Sequence, residues 1–182
     1  MQAPAGLKGV IVADTTIGSV RGQEGFYHYR EYDASDLART RTVDDVVALL
    51  LDGALPTGSN SVDLGPQRVL PNEVASLVDA MSAFSADSLS VIRAGLLAIA
   101  EIEGHQPVLD IDHAQRRKDA LRLIGAVPTI VARHYRRRNQ LEPIEPDPTL
   151  GHAADYLRMA TGDVPKDANA AAVEKYLSLI HI

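Results

Sequence analysis

Residues 88–103 read SLSVIRAGLLAIAEIE. Leu89, Ile92, Leu96 and Ile99 fall on one face of a helix, and such a stripe requires an apolar surface to pack against. The same period recurs on both sides. Upstream, Thr42 stands three positions before Asp45, a capping box with Asp in place of Glu, ahead of Val43, Val46, Val47 and Leu50 on one face. Gly53 stops that helix and Pro56 closes its exit. Thr57–Pro71, rich in Gly, Ser, Asn and Pro, reads as a surface loop, after which Asn72 is placed to cap a helix carrying Val74, Leu77, Val78 and Met81. Downstream, Asp110 or Asp112 caps a long helix reaching about Arg138, with the stripe Leu121, Ile124, Pro128, Val131 and Tyr135. Pro128 lacks a backbone N–H, so a kink or a break is expected there. Pro143, Pro146 and Pro148 exclude helix from Leu141 to Pro148, and two further helices follow over about 149–160 and 167–180.

The start of the chain reads differently. Val10–Ala13 and Phe26–Arg30 are short β-prone runs around a Gly-containing stretch, Gly18–Gly25, which suggests a hairpin or a pair of edge strands. No run after Arg30 reads as a strand. The expected fold class is all-α, with a short β-hairpin element near the N-terminus.

Composition bounds the function. A chain of 182 residues folds as one domain, or one and a fraction, and has enough length for a core. Aromatic residues are 4%, with no Trp, so the core is built from Leu, Ile, Val and Ala, which suits helix-on-helix packing. The formal charge of −6 argues against general affinity for nucleic acid or anionic lipid. The absence of Cys excludes disulfides, thiolate metal sites and a Cys nucleophile, and fits a cytoplasmic protein. The N-terminal MQAPAGLKG lacks the pattern of a signal peptide, and no apolar stretch approaches the ~20 residues that span a bilayer.

Local motifs supply no catalytic site. His28, His105, His113, His134, His152 and His181 form no i, i+4 pair, so surface or capping roles are their default and no metal site is expected. Asp110-Ile111-Asp112-His113 offers oxygen ligands or an acid–base pair, but reads more simply as a helix N-terminus. Arg133-His134-Tyr135-Arg136-Arg137-Arg138 is the single basic cluster. It suits either the phosphates of a nucleotide-like cofactor or the negative end of a helix dipole. Gly18, Gly22 and Gly25 match neither a dinucleotide-binding nor a P-loop pattern.

Taken in order, several segments resemble the citrate synthase family (citrate/2-methylcitrate synthase type), in its N-terminal part. Gly6–Ile17 is similar to that family's opening, GL-x-GV followed by T-x-I. Tyr29–Ala38 resembles its YRGYDIEDLA segment, with Glu31 where Gly is usual. Thr42–Pro56 resembles its SFEEVAYLLLYGELP helix and turn. Pro128-Thr129-Ile130 through Arg137, Pro146-Asp147-Pro148, and Tyr156-Leu157 to Gly162 continue the correspondence. It covers residue 6 to about 177, so 1–177 is expected to be a partial citrate synthase large domain and 178–182 a tail that does not match.

The resemblance implies a condensation of acetyl-CoA, or a close acyl-CoA, with oxaloacetate, followed by hydrolysis of the citryl thioester. In the family an Asp removes a methyl proton, a His stabilises the enol, and a second His with several Arg holds the oxaloacetate carboxylates. These residues begin in a segment like HADHG-x-NAS after the helix ending near Tyr176-Leu177, where this chain reads Ser178-Leu179-Ile180-His181-Ile182. His181 is out of register with the family histidine. No catalytic, substrate-binding or metal residue is therefore assigned, and the cofactor-binding residues stay unknown. Ser178 onward is expected to be a truncation or read-through product. The resemblance further implies acyl-CoA as co-substrate with no permanently bound cofactor. It also implies a homodimer of paired antiparallel helices, to which 88–103 contributes. Exposed apolar patches and a tendency to associate are expected. The alternative is a non-catalytic helical interaction module that completes a site with a second chain.

Overall fold

The computed structural model describes Gly6, Val10 and residues 14–57, 62–84 and 87–179. Three short strands, β1 (Gly18–Arg21), β2 (Phe26–Tyr29) and β3 (Tyr32–Asp33), precede seven α-helices among the described residues. These are α1 (Ala34–Thr40), α2 (Val43–Asp52), α3 (Asn72–Ala83), α4 (Ser88–Glu103), α5 (His113–Arg138), α6 (His152–Thr161) and α7 (Asp167–Leu179). Helix dominates, with a small sheet at one end, as the residue pattern predicts.

The sheet contains the expected β-hairpin element near the N-terminus, with its first strand shifted. β1 pairs antiparallel with β2, Gly18 opposite Tyr29 and Arg21 opposite Phe26, so part of the expected Gly-rich turn is a strand. Residues 11–13 of the first expected strand lie outside the described residues, and Val10 is in no strand. A third strand follows Arg30, contrary to expectation, with Tyr29 opposite Tyr32 across a two-residue turn. That turn places Arg30 at φ +52, a conformation more usual for Gly. Tertiary contacts hold it there: the Arg30 guanidinium donates to Thr16 Oγ1 at 2.8 Å and to the Leu50 carbonyl, an orphan acceptor at the end of α2, at 2.9 Å.

Helix ends follow local chemistry closely. Thr42 Oγ1 accepts from the Asp45 N–H, and the Asp45 carboxylate accepts from the Thr42 N–H, each at 3.2 Å, closing the capping box. Gly53 adopts φ +83 at the C-terminus, a left-handed turn that a Cβ would strain. Asp112, not Asp110, caps α5, accepting from the Gln115 N–H at 2.8 Å. Asn72 does not cap α3; Pro71 holds that position, its carbonyl accepting from the Ala75 N–H at 3.0 Å, and Asn72 is the first helical residue. The pre-set φ of proline fixes the entry of the chain into the helix, and no side chain caps it.

α5 is the central element. It packs on α3, α4 and α6 and on a 3₁₀ turn at Pro66–Arg68. It runs unbroken through Pro128, because neighbours on several sides hold the helix despite the missing hydrogen bond. The main apolar cluster joins Leu70, Val74 and Val78 to Val91 and Ile99 of α4 and to Ala126 and Ile130 of α5. Of the expected stripe on α4, Ile99 is buried and Ile92 and Leu96 pack on this cluster, whereas Leu89 is 53% exposed; Val91 and Gly95 complete the buried face. A Cβ at Gly95 would meet Ile130 Cδ1 at 2.8 Å, so the glycine lets Ile130 of α5 pack tightly on α4. Phe84, Leu97, Ile102, Val108 and Leu109 remain exposed, in keeping with the expected apolar surface. No described helix is long and apolar enough to cross a membrane.

Candidate functional site

The densest polar cluster lies where the 3₁₀ turn, the Pro-rich segment and α6 meet. Arg68, flanked by buried Leu64 and Leu70, is 1% exposed. Its Nε sits 2.8 Å from Oδ2 of Asp155, which is fully buried, and its Nη2 donates to the carbonyls of Asp147 at 3.0 Å and Leu150 at 2.7 Å. Asp155 also receives the Arg158 guanidinium at 2.8 Å and the Asp147 N–H at 3.0 Å. One arginine in the loop and one carboxylate on α6 therefore fasten the segment that the prolines keep out of helix. Thr129 Oγ1 of α5 donates to the Arg68 carbonyl at 2.8 Å and completes the brace.

Two histidines expected at the surface are buried. His152, the first residue of α6, has its pKa lowered to about 4 by burial and then by Arg68, with Asp155 opposing. It is a neutral imidazole at physiological pH, and its Nδ1 has no hydrogen-bond partner. His134 Nδ1 lies 2.8 Å from Ser82 Oγ, which donates to the Val78 carbonyl at 2.6 Å. With the serine hydrogen so engaged, the Nδ1–H of His134 donates to the serine oxygen, and burial, with Arg138 nearby, lowers the pKa of the ring. Tertiary burial overrides the default reading for both.

The remaining expected candidates are local. His105 Nε2 stands 3.6 Å from Glu103 and 3.7 Å from Asp119, and His28 Nδ1 contacts the Arg30 carbonyl. His113 is exposed at the start of α5, and Asp110 is likewise exposed. His181 lies outside the described residues. Among the described residues no three His, Asp or Glu side chains form a metal-holding group.

The basic cluster is largely engaged inside the molecule. Arg133 forks onto both carboxylate oxygens of Asp79, at 2.7 and 2.8 Å, and reaches Glu145 at 3.1 Å. Arg137 spans Asp79 and Glu142, and Arg136 donates to the carbonyls of Glu142 and Ala160. Burial raises the Asp79 pKa, but the two arginine hydrogen bonds outweigh it and hold the carboxyl below its usual range. Arg138 lines an open groove of about 500 Å³ with Ser88, Val131, Tyr135 and Tyr156. Arg133, Arg136 and Arg137 thus tie α5 to α3 and to the chain that follows it.

Comparison with known proteins decides the family. Residues 6–181 match the family model described as citrate synthase, C-terminal domain. The chain belongs to the citrate synthase family. It is 30% identical to a citrate synthase of Haloferax volcanii over 179 residues, covering 96% of this chain and 47% of that protein. It is 33% identical to a 2-methylcitrate synthase of Mycobacterium tuberculosis over 174 residues, again 96% of this chain and 44% of the relative. The crystal structure of citrate synthase from Pyrobaculum aerophilum superposes with a TM-score of 0.82 at 27% identity, over 98% of this chain and 48% of that one. A ternary complex of Thermoplasma acidophilum citrate synthase with carboxymethyl coenzyme A and oxaloacetate, at 20% identity and a TM-score of 0.82, shares the fold. It is covered to 45%. The chain spans about half the length of the relatives it matches.

Within this citrate synthase-type half, the sequence-level reading passes over Arg68, Asp155 and Glu174. Arg68 falls in the stretch read as a surface loop. The available signal is its setting, a lone Arg between Leu64 and Leu70 where a solvated loop would be polar throughout. Asp155, four residues into an amphipathic helix and three before Arg158, looks like an ordinary surface pair in sequence. The cluster it forms can brace and orient; it holds no nucleophile and base in reach of each other and no set of donors converging on a cavity.

Proposed function

We propose that this polypeptide supplies scaffold of an enzyme that joins acetyl-CoA, or a close acyl-CoA, to oxaloacetate and releases citrate and CoA, and that residues 1–182 are inactive alone. The family match over residues 6–181 carries this reading. The buried polar groups support it, since Arg68, Asp155 and the Arg133–Arg137 network serve the packing of helices and the Pro-rich segment. Acyl-CoA then acts as co-substrate, no cofactor is permanently bound, and the assembled enzyme is a cytoplasmic homodimer. Domain limits of 1–177 for the scaffold and 178–182 for the tail belong to the same proposal.

The test mixes the chain with oxaloacetate and either acetyl-CoA or propionyl-CoA and follows free thiol. We expect no turnover from residues 1–182, and turnover once the chain is continued with the second half of a family member. Measurable thiol release by 1–182 alone refutes the inactivity. A continued chain that folds yet stays inert with both acyl-CoA substrates refutes the reaction.

One set of observations favours a second reading, a helical module that pairs with another chain. Phe84, Leu97 and Ile102 lie exposed on or beside α4, with Leu97 at 63%. Sedimentation that shows a monodisperse monomer at high concentration would remove it.

A further inference from the structure

Glu174, in the middle of α7, makes an unusual double contact. One carboxylate oxygen accepts from the Val43 N–H at 2.9 Å, and the other lies 3.4 Å from the Ala153 N–H. These are donors in the first turns of α2 and α6, which no residue inside either helix can satisfy. The cap of α6, Gly151, has no side chain to do so. A single carboxylate on a third helix thus closes two positive helix ends at once.

Asp44 is the next residue on α2 after Val43, from whose N–H that carboxylate accepts. It is partly buried, and its Oδ1 has no hydrogen-bond partner. The charged groups around it come from several elements: Glu174 on α7, Arg68 on the 3₁₀ turn, Asp63 in the chain before that turn, and Asp45 on α2 itself. Arg68 is already bound to Asp155, so the positive charge available to Asp44 is shared. Two carboxylates in one half-buried place repel each other, and a proton on one relieves this.

We propose that Asp44 and Glu174 form a proton-gated latch on α7: with Asp44 protonated, Glu174 keeps its charge on the two helix ends, and loss of that proton sets like charges side by side and loosens α7 from α2 and α6. The proton leaves to solvent, and no covalent bond changes. Burial first, and then the Glu174 charge, push the Asp44 pKa up to about 6, with Asp63 and Asp45 adding and Arg68 opposing. Because this lies above the ordinary value of 3.8, the folded chain retains a proton the unfolded chain has released. The latch is firmest below about pH 3.8, where folded and unfolded chains both hold the proton, and weakens as pH rises until it is lost above about 6. It acts within this chain and does not depend on the proposed reaction.

Amide hydrogen exchange on the full chain tests it. Protection of the α7 amides, corrected for intrinsic exchange, is expected to fall on the order of tenfold between about pH 5 and about pH 7.5, while that of α4 holds. Asp44→Asn removes the charge at constant shape, and α7 should then stay protected and flat with pH. Glu174→Gln removes the repelling partner, and any remaining step should move to lower pH. A flat wild-type profile, or an unchanged step in Asp44→Asn, overturns the latch. Should Asp44→Asn fail to fold, as judged by lost protection in α4, the Glu174→Gln profile decides, and a step that stays in place overturns it.

Discussion

The α3–α4–α5 cluster and the junction of the 3₁₀ turn with α6 are both buried, and they are held by opposite kinds of contact. The first joins Val74, Val78, Val91, Ile99 and Ile130 with scarcely a polar atom, and its geometry is set by shape, with Ile130 packed tightly against Gly95. The second rests on Arg68, Asp155 and Arg158 and on carbonyls of the Pro-rich segment. Apolar contacts weaken gradually as volume is removed, whereas a buried ion pair fails abruptly when one partner is lost. The two regions should therefore answer differently to single and paired substitutions.

The largest effect is expected at the polar junction. Asp155→Ala leaves Arg68 charged and buried and should cost about 3–5 kcal/mol in urea unfolding. Replacing both partners, Arg68→Met with Asp155→Leu, should recover most of that loss, and a double variant as weak as the single one would show that the hydrogen bonds to Asp147 and Leu150 matter more than the charge. In the apolar cluster, Ile130→Ala should cost about 3 kcal/mol, with no second substitution of charge able to restore it. A loss under about 1 kcal/mol would mean that α4 collapses onto the cavity and that the packing is looser than Gly95 implies.

A smaller, pH-dependent effect separates the regions further. His152 is neutral in the folded state, with its pKa lowered to about 4 by burial and by Arg68. The unfolded chain takes up that proton near pH 6.5, so the contribution is complete above about 6.5 and is lost as pH falls toward 4. The loss is on the order of 2–3 kcal/mol, set against the opposite trend from Asp44 over much of the same range. His152→Asn should flatten this arm of the stability curve, as read from urea midpoints at several pH values. Ile130→Ala should lower the curve without altering its slope, and an equal slope in wild type and His152→Asn would contradict the assignment.

These contrasts bear on how much is legible before the fold is known. Thr42 with Asp45, Gly53 and Asp112 are local signals, each acting within about one turn, and each functions as its spacing indicates. The β element is misregistered in sequence because its strands are four residues or shorter, and Arg30 holds a left-handed turn only through contacts with Thr16 and Leu50. The stripe on α4 is legible in Ile92, Leu96 and Ile99, which all pack on the cluster, whereas Leu89 is exposed and the burial of Val91 and Gly95 follows from the nearness of Ile130. Arg68, Asp155 and Glu174 are illegible as a site because their partners stand far away along the chain, as Glu174 does 131 residues from Val43.

The helical class, most of the helix ends and, through the order of the matching segments, membership of the citrate synthase family are written in the sequence. Those features depend on periodicity and on neighbours a few positions apart, which one chain displays openly. The fold alone fixes that Val91 and Gly95 join Ile99 on the buried face of α4, that the basic run after Pro128 ties helices together, and that Glu174 caps the start of α2 next to Asp44. Such outcomes depend on burial and on charges brought together across the chain, and the same side chain is an ordinary surface group or a buried partner according to what the fold sets beside it.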